Sequence, residues 1–176
     1  IYDAPGGTWS APTLLTSNAA FDGEVRLARN AGGQLMAVWV ESDAGVEPTG
    51  GPARIMAAFY DGGWSAPMVA VPVIDAQVEL AAGYGGDRAA VAFTQAMTPT
   101  GGTGPVSQVL FSEWDGSAWS QPIPVAPAVE DQHDPNIVYN AQNQPLVVFA
   151  NCLLHLRNMA TGAAADLELD PTVMDP

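Results

Sequence analysis

Six side chains carry the densest potential for chemistry: Asp22, Asp75, and the run Glu130, Asp131, His133 and Asp134 inside "EDQHD". Clustered carboxylates are hard oxygen donors that suit calcium, and they accept hydrogen bonds from sugar hydroxyls. The spacing matches no EF-hand or other specific cage. A solvated acidic turn accounts for the same residues, so the metal question stays open, with calcium the cation this donor set would suit. Against 19 acids stand five arginines (Arg26, Arg29, Arg54, Arg88, Arg157) and no lysine, for a net charge of −14. That field repels nucleic acid and anionic lipid, which makes both poor partners, and no nucleic acid is expected to bind. His133 and His155 stand apart, with no Gly-x-Ser-x-Gly nucleophile turn, phosphate loop or dinucleotide fingerprint near them. Cys152 is the only cysteine, so no internal disulfide forms, and within "VVFANCLL" it reads as a small core residue. No catalytic residue is nominated on these grounds.

The elements that position these residues are short. The chain has 176 residues, 48% hydrophobic, with 18 Gly and 15 Pro. This composition suits a turn-rich globular domain. No apolar run approaches the roughly 18 residues that span a bilayer as a helix. Gly and Pro interrupt every helical window, and the apolar period is two, so strands are expected. Only "MATGAAAD" (Met159 to Asp166) could form a helical turn. The chain opens at Ile1-Tyr2 as if a strand were already under way, and a piece of a longer polypeptide is expected.

A phrase recurs. "DGGWSAP" (Asp61 to Pro67), "DGSAWSQP" (Asp115 to Pro122) and "YDAPGGTWSAP" (Tyr2 to Pro12) place Trp9, Trp64 and Trp119 at intervals of 55 residues. Repeats of this length point to arrays or propellers. "FDGEVRLARNAGGQLMAVWV" (Phe21 to Val40) lies over "IDAQVELAAGYGGDRAAVAF" (Ile74 to Phe93), and "HDPNIVYNAQNQPLVVFA" (His133 to Ala150) is a third version. Each repeat predicts four strands, a to d. The first predicts 24–29, 35–41, 54–60 and 64–71. The second predicts 78–83, 89–95, 107–114 and 119–125, and the third 136–140, 146–151, 153–158 and 166–170. In the phrase itself, Asp61-Gly62 and Asp115-Gly116 make a tight turn. Trp64 and Trp119 open the outermost strand and cover the hairpin, and the following Pro suits an edge.

The expected fold is therefore all-β: about three four-stranded antiparallel propeller blades plus a partial one. The boundaries are 1–16 for the remnant of a preceding blade, 21–71, 74–126 and 131–170 for full blades, and 171–176 for a tail. Propellers close with four to eight blades. The remaining ones must come from further sequence or from other copies of the chain.

The repeats resemble the bacterial sialidase-like propellers with Asp-box repeats, whose box reads Ser/Thr-x-Asp-x-Gly-x-x-Trp between strands c and d. Ser112, Asp115, Gly116 and Trp119 approach it, with Ser one place early and Gly directly after Asp. Asp61, Gly62 and Trp64 form a shortened version. Asp3, Gly6, Gly7, Thr8 and Trp9 form a lengthened one, and the third full repeat lacks the Trp. The resemblance implies a fold over nearly the whole chain. For activity it would require an arginine triad, a Tyr–Glu nucleophile pair and an acid–base Asp. Arg26 and Arg29 lie on the innermost strand, but Ala82 stands where a second repeat would match Arg29, and Tyr84 and Tyr139 show no evident partner Glu. The expected function is a non-enzymatic binding or scaffold module of a secreted or surface bacterial protein, with glycans or proteins as partners. A sialidase-like hydrolase completed by other blades is the alternative, and so is a lectin that uses the tryptophans as sugar platforms.

Overall fold

The computed structural model describes residues 2–3, 6–43, 52–75, 78–97, 104–128, 130–151 and 153–167. Every regular element among them is a strand. β1 (Tyr2–Asp3) and β2 (Thr8–Trp9) form a hairpin. Three four-stranded antiparallel meanders follow. The first comprises β3 (Phe21–Arg29), β4 (Leu35–Ser42), β5 (Pro52–Tyr60) and β6 (Met68–Asp75). The second comprises β7 (Leu80–Gly85), β8 (Arg88–Met97), β9 (Val106–Trp114) and β10 (Ile123–Pro124). The third comprises β11 (His133–Tyr139), β12 (Pro145–Ala150), β13 (Leu154–Asn158) and β14 (Ala164–Leu167). The "MATGAAAD" stretch is a turn followed by β14 rather than a helical turn, because Gly162 takes a left-handed φ of 73° that ends any helical path.

Alternation along each strand builds a core on either side of the middle sheet and a third cluster beyond the first sheet. Met36, Val38 and Val40 of β4 and Ile55 and Ala57 of β5 face the second sheet, where they meet Leu80, Val91 and Phe93. Ala90, Ala92, Val109 and Phe111 point the other way, onto Ile137, Val147 and Phe149 of the third sheet. The middle sheet is thus buried on both faces. On the far side of the first sheet, Ala37, Trp39, Met56 and Ala58 pack against Leu15 and Trp64. The first strands β3, β7 and β11 lie side by side, so the sheets stack in series with their leading strands together. That close approach depends on glycine. A Cβ on Gly83 would stand 2.5 Å from Ile137 Cγ2, and one on Gly85 would meet Tyr139 Cβ at 2.6 Å.

The recurring phrase does more than turn the chain, and the outer strands begin later than expected. Trp64 and Trp119 make single bridges to Tyr60 and Trp114, and regular pairing resumes only at Met68 and Ile123. The reason is the serine after each Trp. Ser65 N–H donates to Phe59 O at 2.7 Å, while Phe59 N–H donates to Ser65 Oγ at 3.0 Å. Ser120 repeats the arrangement on Glu113, at 2.8 and 3.0 Å. The hydroxyl occupies the place of the serine's own carbonyl, so one residue slips out of the ladder, and Pro67 or Pro122 follows with no N–H to pair. The first sheet also runs past its expected end at 71. Ile74 and Asp75 pair with Ala53 and Pro52, so they belong to the first sheet and not to the second unit, expected to start at 74.

The turns carry a second repeated device. Asn30 N–H donates to Gln34 O and Asn30 Oδ1 accepts from Gln34 N–H; Asn140 and Gln144 make the same pair. Gln34 reaches Asp61 Oδ2 at 3.1 Å, and Gln144 Oε1 accepts from Asn158 at 3.0 Å, so each first turn is tied to the last turn of its sheet. In the second sheet Arg88 and Glu113 serve this purpose. Asp115 Oδ1 accepts from the backbone N–H groups of Ala118 and Ser117 and from Ser117 Oγ, at 2.8 to 2.9 Å. In the third sheet, where the Trp is missing, Asn158 Oδ1 still holds Ala160 and Thr161 N–H.

Two outcomes follow. Gly85→Ala is expected to lower stability by about 1–3 kcal/mol through overpacking against Tyr139, read by urea denaturation; an unchanged midpoint would show that the leading strands can separate. The turn bonds from Ala118 and Ser117 hold the Asp115 carboxyl below its ordinary range. Its contribution is therefore present above about pH 4 and lost as pH falls through the lower folded-state value. Asp115→Asn is expected to flatten the acid limb of the melting temperature against pH, relative to the unsubstituted chain.

Candidate functional site

The strands have two ends, and the chemistry divides between them. At one end lie the connections β4–β5 and β8–β9 together with the crossings from one sheet to the next; at the other lie the tight turns described above. The acids singled out in the sequence sit at the first end, but most are committed to structure. Asp22 is on β3 opposite Glu41, not in a loop, and its Oδ2 accepts from Thr16 Oγ1 at 2.6 Å. Asp75 is a strand residue of β6 whose side chain lies outside the description. Asp131 Oδ1 accepts from Ser107 N–H at 2.8 Å, capping the outer edge of β9. His133 Nδ1 contacts Asp134 Oδ2 at 2.9 Å, and Asp134 N–H donates to Glu79 Oε2 at 2.7 Å, which ties the third sheet to the second. Glu130 is exposed. Among the described residues no three His, Cys, Asp or Glu side chains converge as a metal would require. Cys152 lies outside the described residues.

The sequence reading missed Gln132, which sits within the same acidic run and is buried. Its Oε1 accepts from Val109 N–H, its Nε2 donates to Pro127 O, and its backbone N–H donates to Ser107 O. β10 is only two residues long, so β9 has spare edge groups, and the 131–132 segment satisfies them. Glu41 was also undervalued. It is 3% exposed, and Arg54 Nε and Nη2 bond its Oε1 at 2.7 and 2.6 Å while Asn18 donates to Oε2 at 2.8 Å. Hydrogen bonds to Asp43 and then Glu41 raise the Arg54 guanidinium above its ordinary value. Two bulges share this end. Glu24 and Asp134, both in left-handed conformation at φ 49° and 52°, lie where β3 and β11 slip register. Each bulge turns an acid of an innermost strand out of the ladder.

At the opposite end, the leading strands line a groove of about 740 Å³ walled by Arg29, Tyr84, Tyr139, Asn143 and the Gly83–Gly86 backbone. Tyr139 O–H donates to Glu113 Oε1 at 3.3 Å, and Glu113 also receives Arg88. Burial, then the Glu113 charge, push the Tyr139 hydroxyl far above its ordinary range, so it stays protonated. Tyr84 is raised as well, first by burial and then by Asp61 and Asp87. Arg26 pairs with Glu24 on the surface at 3.1 Å. Asp22 and Arg29 pair with Glu41 and Leu35, six residues apart on β4, which sets them roughly 20 Å apart at about 3.3 Å per residue. One small ligand cannot touch both.

A third kind of site lies at the outer rim. Tyr60 and Trp64 pack at 5.4 Å between ring centres with planes tilted by 59°, and Trp114 and Trp119 at 5.9 Å with planes tilted by 50°. Trp64 and Trp119 are each half-buried. Phe59 bridges the second pair to the first sheet, 5.4 Å from Trp114 and 6.5 Å from Trp119. Trp9 differs, at 76% exposure.

No protein-family profile matches the chain, and no curated protein does. Among solved structures, one similar to it is the Hadza microbial sialidase Hz136, with a TM-score of 0.53 at 12% identity over 82% of this chain. The chain spans 37% of the length of that protein. At such identity the likeness concerns the fold alone: three antiparallel four-stranded sheets arranged as in part of a sialidase.

Proposed function

We propose that the chain is a run of β-propeller blades serving as a non-enzymatic binding scaffold in a secreted or cell-surface bacterial protein. The observation that carries this reading is the lateral contact of β3, β7 and β11, each the first strand of a meander of identical order. Strands so placed would line the axis of a propeller, with β6, β10 and β14 at its rim. In this reading 1–16 is the outer half of a preceding blade, the blades run from 21, 74 and 131 with the first extended to Asp75, and 171–176 is a tail. The Trp9, Trp64 and Trp119 segments are variant Asp-box turns. The partners are further blades, from flanking sequence or from other copies, and a glycan or protein ligand, with calcium the cation the acidic end would accept.

Three facts weigh against the hydrolase alternative. Arg54 and Arg88 are bound to acids. Arg29 lies at the strand end away from the acidic crossings. Glu113, the carboxylate that Tyr139 O–H reaches, is also held by Arg88 in the linkage between the turns of the second sheet, which gives the pair a structural task. Electron microscopy of the longest natural polypeptide containing this chain is expected to show a closed ring of radial sheets, with no turnover of a fluorogenic sialoside. A two-layer sandwich, or turnover abolished by Tyr139→Phe, would overturn the reading.

A further inference from the structure

The Asp-Gly step occurs three times in the chain, at Asp22–Gly23, Asp61–Gly62 and Asp115–Gly116, and Asn-Gly does not occur. The step has a chemistry of its own. The backbone nitrogen of the glycine can attack Cγ of the preceding aspartic acid, because glycine carries no Cβ to shield it. The new C–N bond closes a five-membered succinimide, and the carboxyl's hydroxyl leaves with the amide proton as water. Water then opens the ring at either carbonyl. Opening at the former backbone carbonyl gives isoaspartate, in which the main chain runs through the side-chain methylene. The water lost in the first step returns in the second, so mass is unchanged.

The fold treats the three steps differently. Asp22 and Gly23 are both paired in the ladder, with Glu41 and Val40, and Thr16 Oγ1 donates to the Asp22 carboxylate at 2.6 Å. A paired strand residue cannot turn its peptide toward the side chain without breaking the ladder. Asp115 lies in a turn, but its Oδ1 accepts from Ala118 N–H, Ser117 N–H and Ser117 Oγ. Those bonds, Ala118's foremost, keep the carboxyl ionised to lower pH, and the ionised form is a poor electrophile. Asp61 has neither restraint. It is exposed in a turn outside the ladder, and among the described residues its carboxylate receives one hydrogen bond, from Gln34 Nε2 at 3.1 Å. Asp61 N–H donates to Gly63 O across that turn, while Gly62 N–H has no acceptor among the described residues. Gly62 stands at φ 71°, and a Cβ on Gly62 or Gly63 would meet no atom within 4 Å, so the turn has room to refit around a ring. We infer that Asp61–Gly62 is a site of spontaneous conversion to isoaspartate in the folded chain, and that the fold protects the other two steps. The extra backbone atom lengthens the β5–β6 turn, which loosens the Gln34–Asp61 tie and the Tyr60–Trp64 bridge. This goes beyond the scaffold reading and does not rest on it.

The test is incubation of the chain for weeks at neutral pH and physiological temperature, alongside the same chain held unfolded in urea. Peptide mapping by mass spectrometry, with methylation by an isoaspartyl methyltransferase, reads the product at each aspartate. In the folded chain, isoaspartate is expected at Asp61 about tenfold faster than at Asp22 or Asp115, a protection the intact structure supplies. In urea the three rates should converge, because the local sequence is then all that differs. Aged chains should unfold at lower denaturant than fresh ones. Asp61→Glu, which keeps the carboxylate but cannot close a five-membered ring, should show no such drift. Equal rates at the three steps in the folded chain, a faster rate at Asp115, or no product at Asp61 would overturn the inference. A drift of equal size in Asp61→Glu would overturn it as well, by placing the damage elsewhere.

Discussion

Everything in this molecule depends on sheets that are apolar on both faces. A sheet with one wet face can end a fold, whereas one buried on both sides needs neighbours on both sides. β8 shows the constraint most plainly: Ala89, Val91 and Phe93 face one core, Ala90 and Ala92 the other, and all five are sealed from solvent. Two-sided burial forces the units into a series, and the glycines of β7 allow β11 to come close to it. The ends of the series then inherit unfilled surface. Val25 and Leu27 of β3 and Val138 of β11 are each more than half exposed. These positions carry the same apolar residue types that are buried at the internal junctions, so the surface they leave open has the composition of a core.

The same constraint bears on where the strands are irregular. β7 packs against β3 on one side and β11 on the other and pairs without a break, whereas β3 and β11, which among the leading strands meet only β7, carry the bulges at Glu24 and Asp134. An outer strand has one free edge, so its hydrogen bonds can be supplied by other groups. Ser65 and Ser120 supply them by hydroxyl, and Asp131 and Gln132 supply them from the crossing to the next sheet. What looks in the sequence like an acidic, ligand-seeking turn is in part the edge closure of β9.

The strand pattern was legible because alternation and the 55-residue Trp interval both report it, and the first three strands of each sheet fall close to their expected positions, while β6 and β10 begin four residues later than expected. The errors lie where a side chain took over a backbone task. Trp64 and Trp119 read as strand openings because the aromatic-Ser-x-Pro text is strand-like, yet the serine hydroxyl diverts the ladder by one residue. Ile74 and Asp75 were assigned forward because their text matches Phe21 and Asp22, and text similarity cannot say which edge a residue pairs with. The Asn30–Gln34 and Asn140–Gln144 turns were visible as repeats of Asn and Gln at fixed spacing. The second unit replaces them with the short Gly86–Asp87 turn, which broke the pattern. Glu41 and Gln132 could not have been recognised, since their partners Arg54, Asn18 and Val109 come from other strands and loops.

Commitment of charge to structure decides what the site can be. At the crossings between sheets Arg54 is held by Glu41 and Asp43. At the turns, where Asp61, Asp87 and Asp115 also lie, Arg88 is held by Glu113. General acid–base chemistry on a carboxylate-bearing substrate requires cation and acid within reach of one small molecule, about 3 Å from the atoms they serve. Here Arg54 is spent holding the buried Glu41, whose desolvation would otherwise cost about several kcal/mol, and Arg88 is paired with the partly exposed Glu113. Such groups cannot release their partners to a ligand without destabilising the sheet they hold.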